Sequence, residues 1–485
     1  MLSCKTMNER QGYESALATR NASQAMQAVW SPHRKFTTWR RLWLALAESQ
    51  QQLGLAITDA QLDELRAAVD DIDYVSADRH EKQTRHDVMA HVHAYAEAAP
   101  AAAAIIHLGA TSQFVNCNTE MLQIREGLRL VARKLACGIN ALGDFAVRYR
   151  ALPTLAFTHF QPAQPTTVGK RAAMWGHDLA ITLDEVEHRL ASLRFRGVKG
   201  TTGTQASFLA LFDGDHDKVE QLDQLVTEKM DWPVDKRFFI TGQTYPRVVD
   251  ALVTSTLAAT AATAAKFATD LRLLANRKEI EEPFESEQVG SSAMAYKRNP
   301  MRSERICGLA RFVIGQTALP YTTAAEQWLE RTLDDSSARR LSLPEPFLAT
   351  DGLLDLLINV ATGLAVYEKT IAAHLDAEMP FLASENIMMA AVNKSGADRQ
   401  QVHEIVRRHS QEAARQVKEQ GKPNDLLDRL KGEKAFAGLD LQAELDASKF
   451  IGRAPQQVDQ FIEQIVQPIR NRYRDALSYN PNLHV

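Results

Sequence analysis

Phe36, Trp39, Leu42, Trp43 and Leu46 recur at steps of three and four with polar residues between them, and Gly54 follows as a stop. That spacing predicts a helix with one apolar stripe. Leu128, Val131, Leu135, Leu142, Phe145 and Tyr149 keep a seven-residue beat, which predicts a long helix packed along its neighbours. Neither Gly nor Pro interrupts the chain from Arg247 to Glu282. A helix of about 30 residues there would be roughly 45 Å long. Its middle, TLAATAATAAKFATDLRLLAN, is small on every face, so other helices can approach closely on several sides. The alternative is an exposed Ala-rich helix. Lys266 is the single charge between Asp250 and Asp270, which favours an interior helix of a bundle. Long helices with apolar surface left over complete their burial by oligomerising.

Strand signals are sparse, and RFFITGQTY at 237–245 predicts one small hairpin. Polar segments near 107–118, 153–169, 196–206, 283–304 and 331–340 break the helices. Composition shifts near 112 and again near 366. The chain divides there into an N-terminal helical domain (1–112), a central long-helix domain (113–366) and a C-terminal helical domain (367–485). With 485 residues, more than one core or a very elongated one is expected.

The net charge of −4 provides no global basic field to recruit nucleic acid or an acidic membrane, so anion binding must come from local clusters. Cys4, Cys117, Cys137 and Cys307 show no CxxC spacing, which fits a reducing compartment better than a disulfide framework or a zinc ribbon. The N-terminus has no apolar core of a secretory signal, and no stretch approaches 18 apolar residues without a charge or turn former. A soluble, cytoplasmic protein is expected.

Five segments carry candidate chemistry. RHDVMAHVH, Arg85–His93, gathers three histidines and Asp87; on a helix His86 and His93 would share a face. It reads as a polar face lining a pocket, as a set of structural histidines, or as a metal site, though the HExxH-type pair is missing. In LPTLAFTHFQPAQPTTVGKR, Leu152–Arg171, three prolines bar a continuous helix around His159. A histidine on a stiff turn suits a general acid, or simply caps the turn. RGVKGTTGTQASF, Arg196–Phe208, can present backbone N–H groups to an anion but is not a Walker motif; a plain turn is the other reading. GSSAMAYKRNPMRSER, Gly290–Arg305, sets a serine pair beside Lys297, Arg298, Arg302 and Arg305. A serine hydroxyl becomes a base only where cations and N–H donors lower its pKa, and this segment carries those cations; the alternative is a solvated basic loop. ERTLDDSSARR, Glu330–Arg340, is a surface helix start or an arginine-fork site for phosphate or carboxylate.

SSAMAYKRNPMRSER closely resembles the signature of the fumarase/aspartase superfamily. THFQPAQ, KGTTGTQASF, RHDVMAHVH, IIHLGATS and WLERTLDDSSARR resemble the adenylosuccinate lyase family in its eukaryotic-type form, from about Ala18 to Gly452–Val458. The resemblance implies an all-α, three-domain subunit whose long central helices form a homotetramer with a twenty-helix core. It implies active sites shared between subunits and β-elimination of fumarate from adenylosuccinate and from the succinyl-aminoimidazole-carboxamide ribotide. It implies no cofactor and no metal, with small-molecule nucleotides as substrates.

By the same resemblance Ser291 matches the family's base, with Ser292 as an open alternative, and Lys297 stabilises the developing charge. His159 matches the acid and His86 a second histidine that binds or orients substrate. Arg20, Arg85, Arg305, Arg331 and Arg340, with Lys297, match cationic substrate contacts. Asp87, Thr111, Ser112, Thr158, Gln243, Asn299 and Ser336 match polar ones. Asn21 stands where the family pattern has Tyr, Ala295 where it has Pro, and Pro165 and Pro246 where it has other residues. Argininosuccinate lyase, aspartase or fumarase types are the rival readings; the arginines at 20, 85, 331 and 340 suit a phosphorylated substrate instead. A metal-dependent phosphohydrolase and a catalytically silent relative are the remaining alternatives.

Overall fold

The structure is a computed structural model that describes residues 12–285, 287–396 and 398–483. Cys4 and residues 1–11 lie outside the described residues. Cys117, Cys137 and Cys307 are free thiols.

The apolar stripe of Phe36–Leu46 lies on α1 (Pro32–Gln52), which Ser31 caps by accepting the Arg34 N–H and which starts with proline. Then come α2 (Tyr74–Thr84) and α3 (Asp87–Ala98). The seven-residue beat becomes α4 (Ser112–Arg148). A hairpin of β1 (Pro153–Thr158) and β2 (Gln161–Thr167) leads into α5 (Val168–Ser192). The Ala-rich segment forms α6 (Val248–Asn276). β3 (Ile280–Glu281) follows, then α7 (Met301–Gly315), α8 (Asp335–Ser342), α9 (Pro344–Thr362) and β4 (Ala365–Val366), which pairs antiparallel with β3. The C-terminal part is helical, with Glu368–Leu382, Ser384–Ser395 and Arg399–Gln420 as its longer pieces.

α4, α5, α6, α7 and α9 pack side by side as one bundle. Leu128, Leu135, Leu142, Leu179, Leu257, Ala264, Phe347 and Leu357 are all fully buried between them. With 29 residues, α6 is about 43 Å long. Its two ends define the two ends of the molecule used below: the near end, where α6 begins, and the far end, where it stops.

One expectation needs correction. RFFITGQTY forms no hairpin: residues 238–245 run as irregular chain with bends, and Arg237 makes a single bridge to Phe195. Gly242 is pressed against the Glu330 backbone, which holds this segment off any sheet partner. Within the single chain α6 packs against α5, α7 and α9, as its small-residue composition predicts. Ala259, Ala262, Lys266, Thr269 and Leu273 remain as one exposed stripe. By length and composition α6 could cross a membrane, yet half of its most apolar window is buried in the bundle.

Candidate active site

At the near end a cavity of about 430 Å³ is lined by residues from four separated segments, among them Arg85, His86, Asp87, Ser112, Arg331, Ser336 and Arg340. Arg85 ends α2 in the left-handed conformation (φ 56°), a strained place for a non-glycine residue. The chain turns there, and His86 becomes the N-cap of α3, its Nδ1 accepting the Met89 N–H at 3.3 Å. A ring whose Nδ1 accepts keeps Nε2 as the nitrogen that carries a proton. Asp87 Oδ2 accepts from Arg340 Nη2 at 3.2 Å, tying α3 to α8. Thr111 starts α4, and its Oγ1 accepts from Gln243 Nε2 at 3.4 Å. Gln243 in turn donates its backbone N–H to Glu330. Nine of the predicted site residues therefore gather at this end.

A buried ionic network that the sequence reading missed supports this cavity. Asp335 accepts from Arg331 Nη1 at 2.7 Å and from Arg247 Nε at 2.8 Å. Arg339 bonds Asp250 Oδ2 and Glu120 Oε2, both at 2.7 Å. Burial opposes the Arg339 charge, but Asp250 and Glu120 outweigh it and hold its pKa well above the ordinary arginine value. Burial likewise opposes the Glu120 carboxylate, and Arg339 and Arg247 prevail, holding its pKa down. Fixed pairs of this kind are expensive to break because each partner left alone is a buried charge. Arg331 is thereby aimed at the cavity from a rigid base.

The three histidines of Arg85–His93 go to three places, which corrects the shared-face expectation. His86 caps the helix, His91 is buried with its ring stacked 3.8 Å from Phe36, and His93 stacks on His80. Among the described residues no group of three or more His, Cys, Asp or Glu gathers to hold a metal ion. The glycine-rich segment 196–206 is anchored rather than open at its start: Asp223, fully buried, accepts from Val198 N–H, Lys199 Nζ and Arg237 Nη1.

The remaining predicted residues lie toward the far end or along the middle. His159 and Phe160 are the two central residues of the β1–β2 turn, with φ of 53° and 56°. Both positive values mark a type I′ turn, normally made with Asn-Gly. Here a histidine is held at its tip, exposed, with Thr158 beside it. The Arg277 guanidinium, just past α6, lies 4.6 Å from the Phe157 ring and docks the hairpin at this end.

The serine-lysine loop sits at the same end. Glu282, buried, accepts from the N–H groups of Arg302 and Ser303 and so caps α7 from outside. Between these anchors the loop closes on itself: Asn299 Nδ2 donates to Gly290 O at 2.9 Å, and a Cβ on Gly290 would lie 2.2 Å from the Lys297 carbonyl oxygen. The backbone N–H groups of Ala293 and Met294 donate to Ser291 Oγ at 3.4 and 3.2 Å. Ser291 is half-buried, whereas Ser292 and Lys297 are exposed. Among the described residues no hydrogen bond or ion pair joins this loop to the hairpin tip or to the near-end cavity.

Arg20 closes a π-helical turn, Leu17–Asn21, that lies against α9. It faces Arg305 on α7: burial first, then the Arg20 charge, lowers the Arg305 pKa. Asn21 Nδ2 donates to Ala16 O at 2.7 Å, so its amide bonds back to its own turn.

The matching families agree with this architecture. A family model described as "Lyase" matches residues 15–315, and one described as "Adenylosuccinate lyase C-terminus" matches 380–461. The solved 3-carboxy-cis,cis-muconate lactonizing enzyme of Pseudomonas putida superposes with a TM-score of 0.80 at 20% identity, covering 94% of this chain and 100% of that one. The fold and the signature loop thus define a lyase of the fumarase/aspartase superfamily. The adenylosuccinate lyase of Saccharomyces cerevisiae is 50% identical over 478 residues, 97% of this chain and 98% of that protein. That of Schistosoma mansoni is 46% identical over 482 residues, 99% of this chain and 100% of that protein. The chain belongs to the adenylosuccinate lyase family, C–N lyases that release fumarate.

Proposed function

We propose that this chain cleaves adenylosuccinate to AMP and fumarate, and the succinyl-aminoimidazole-carboxamide ribotide to the free carboxamide and fumarate, as a cytoplasmic enzyme of purine biosynthesis. Ser291 takes a proton from the carbon next to a succinyl carboxylate. The electron pair closes the C=C bond of fumarate, the C–N bond breaks, and His159 gives a proton to the departing nitrogen. Lys297 and the loop N–H groups stabilise both the alkoxide and the charge spreading into the carboxylate. The two N–H donors on Ser291 Oγ favour Ser291 over Ser292 as the base. His86 orients substrate, with its Nδ1 held as acceptor. Arg85, Arg331 and Arg340, with Ser112 and Ser336, suit the phosphate-bearing part, since arginine forks match phosphate oxygens.

The observation that carries this reading is the cavity that sets Arg85, Arg331 and Arg340 beside Ser112 and Ser336, in a chain related over nearly its whole length to adenylosuccinate lyases. Near-end and far-end sets stand about a bundle length apart in one chain. The reading therefore includes a homotetramer in which one subunit's loop meets another's cavity, the exposed small-residue stripe of α6 serving as the packing face. The test is an assay of the purified protein with adenylosuccinate. AMP and fumarate are expected in equal amounts, unchanged by EDTA, and Ser291→Ala and His159→Ala should each lower turnover by about a thousandfold or more while leaving the oligomer intact. Inorganic phosphate released in place of AMP, or full activity in either variant, contradicts the reading.

A further inference from the structure

Lys35, on α1, lines the near-end cavity together with Arg85, Arg331 and Arg340. Its Nζ lies 4.8 Å from the centroid of the Trp39 ring and 5.4 Å from that of Phe36, so the ammonium rests on two aromatic faces. Among the described residues no carboxylate is paired with it. The charged groups around it are Arg340, Asp87, Glu120 and Glu81. Two of these carboxylates are already committed: Asp87 to Arg340 and Glu120 to Arg339. Burial first, and the Arg340 charge second, hold the Lys35 pKa below the ordinary lysine value; Asp87, Glu120 and Glu81 only partly offset them. A half-buried cation next to another cation, with its neighbouring anions engaged elsewhere, is a group whose charge an incoming anion would balance.

We propose that Lys35 is a further substrate-binding residue whose ammonium contacts the phosphomonoester of the bound nucleotide and sharpens selection for phosphorylated over dephosphorylated substrate. The inference rests on the reading that this cavity takes the phosphate end. The aromatic faces hold the ammonium without a hydrogen-bond acceptor, so its N–H donors can turn to phosphate oxygens. Sequence reading overlooked it because a lone lysine in a helix start, SPHRKF, is indistinguishable from a solvated one.

The test uses the full-length enzyme and three variants, Lys35→Met, Lys35→Arg and Arg340→Met, with adenylosuccinate and its dephosphorylated nucleoside. Lys35→Met should raise KM for the nucleotide about tenfold or more, the loss expected for one charge-assisted hydrogen bond. Its kcat should stay within about twofold, with KM for the nucleoside unchanged. Lys35→Arg keeps the charge and should recover most of the affinity. An unchanged KM in Lys35→Met beside a raised KM in Arg340→Met overturns the role of Lys35 and leaves the cavity reading standing. Unchanged values in both overturn the two together. Equal losses in Lys35→Met and Lys35→Arg, for nucleotide and nucleoside alike, would make Lys35 a packing residue and also sink the proposal.

Discussion

His91 faces away from the cavity that its sequence neighbours line. Its ring is buried against Phe36 and Trp39, and burial first, then the Arg40 and Lys35 charges, push its pKa down to about 4 from 6.5. Because the folded value lies below the unfolded one, the unfolded chain gains a proton first as pH falls. Stability is therefore full above about pH 6.5 and declines as pH drops toward 4, by up to about 3 kcal/mol for this group alone. His107 behaves in the same direction: burial, then the His86 charge, lowers it to about 4, and Trp43 Nε1–H donates to its Nδ1 at 2.9 Å. His91→Phe keeps a ring against Phe36 and removes the titration. Denaturant midpoints taken at pH 7.5, 6 and 5 should fall less steeply in that variant than in the parent. Parallel curves would show that His91 does not carry the acid sensitivity. None of this was legible from RHDVMAHVH, because three histidines in nine residues look alike until tertiary packing separates them.

At the scale of elements, legibility followed the range of the interactions. Long helices were readable because a 3.6-residue period and capping residues are local; α1, α4 and α6 lie where the apolar pattern puts them. The Pro153–Thr167 hairpin was not, because three prolines read as breaks and its turn is His-Phe instead of Asn-Gly. RFFITGQTY alternates like a strand, yet its conformation is set by distant backbone. Gly203 shows how: it has φ +83°, and a Cβ there would lie 1.8 Å from the Thr241 carbonyl oxygen. Gly203→Ala should therefore destabilise the fold by at least about 2 kcal/mol. It should also raise KM, because residues 241–243 carry Gln243 to Thr111. Thermal melts and steady-state kinetics on the same preparation check both effects, and a neutral result in each would mean that Gly203 and the 241–243 segment separate freely. The Arg247, Asp250, Asp335 and Arg339 network was likewise hidden, since Arg339 meets Asp250 across 89 positions and Glu120 across 219. Charges so distant in sequence carry no local pattern. The motif residues, by contrast, were recognisable one segment at a time; what the sequence could not say is which segments one chain brings together.

In the whole molecule the cavity lies where α6 begins and the serine-lysine loop and hairpin lie past its end, and α6 itself is about 43 Å long. This division makes a prediction that a site built inside one chain cannot share. Ser291→Ala disables the loop and His86→Gln disables the cavity. If one subunit's loop serves another subunit's cavity, mixing the two inactive variants under conditions that exchange subunits should leave about a quarter of the sites with an intact loop and an intact cavity. Activity should rise toward that fraction of the parent value. The control is a pair drawn from the same end, His86→Gln with Arg331→Met. Both residues line one cavity in one chain, so every cavity in every mixed oligomer carries one lesion or the other, and no recovery is expected. Recovery in the first mixture alone places the two ends on different subunits. No recovery in either, with subunit exchange verified by a tagged chain, would contradict the sharing of loop and cavity between subunits.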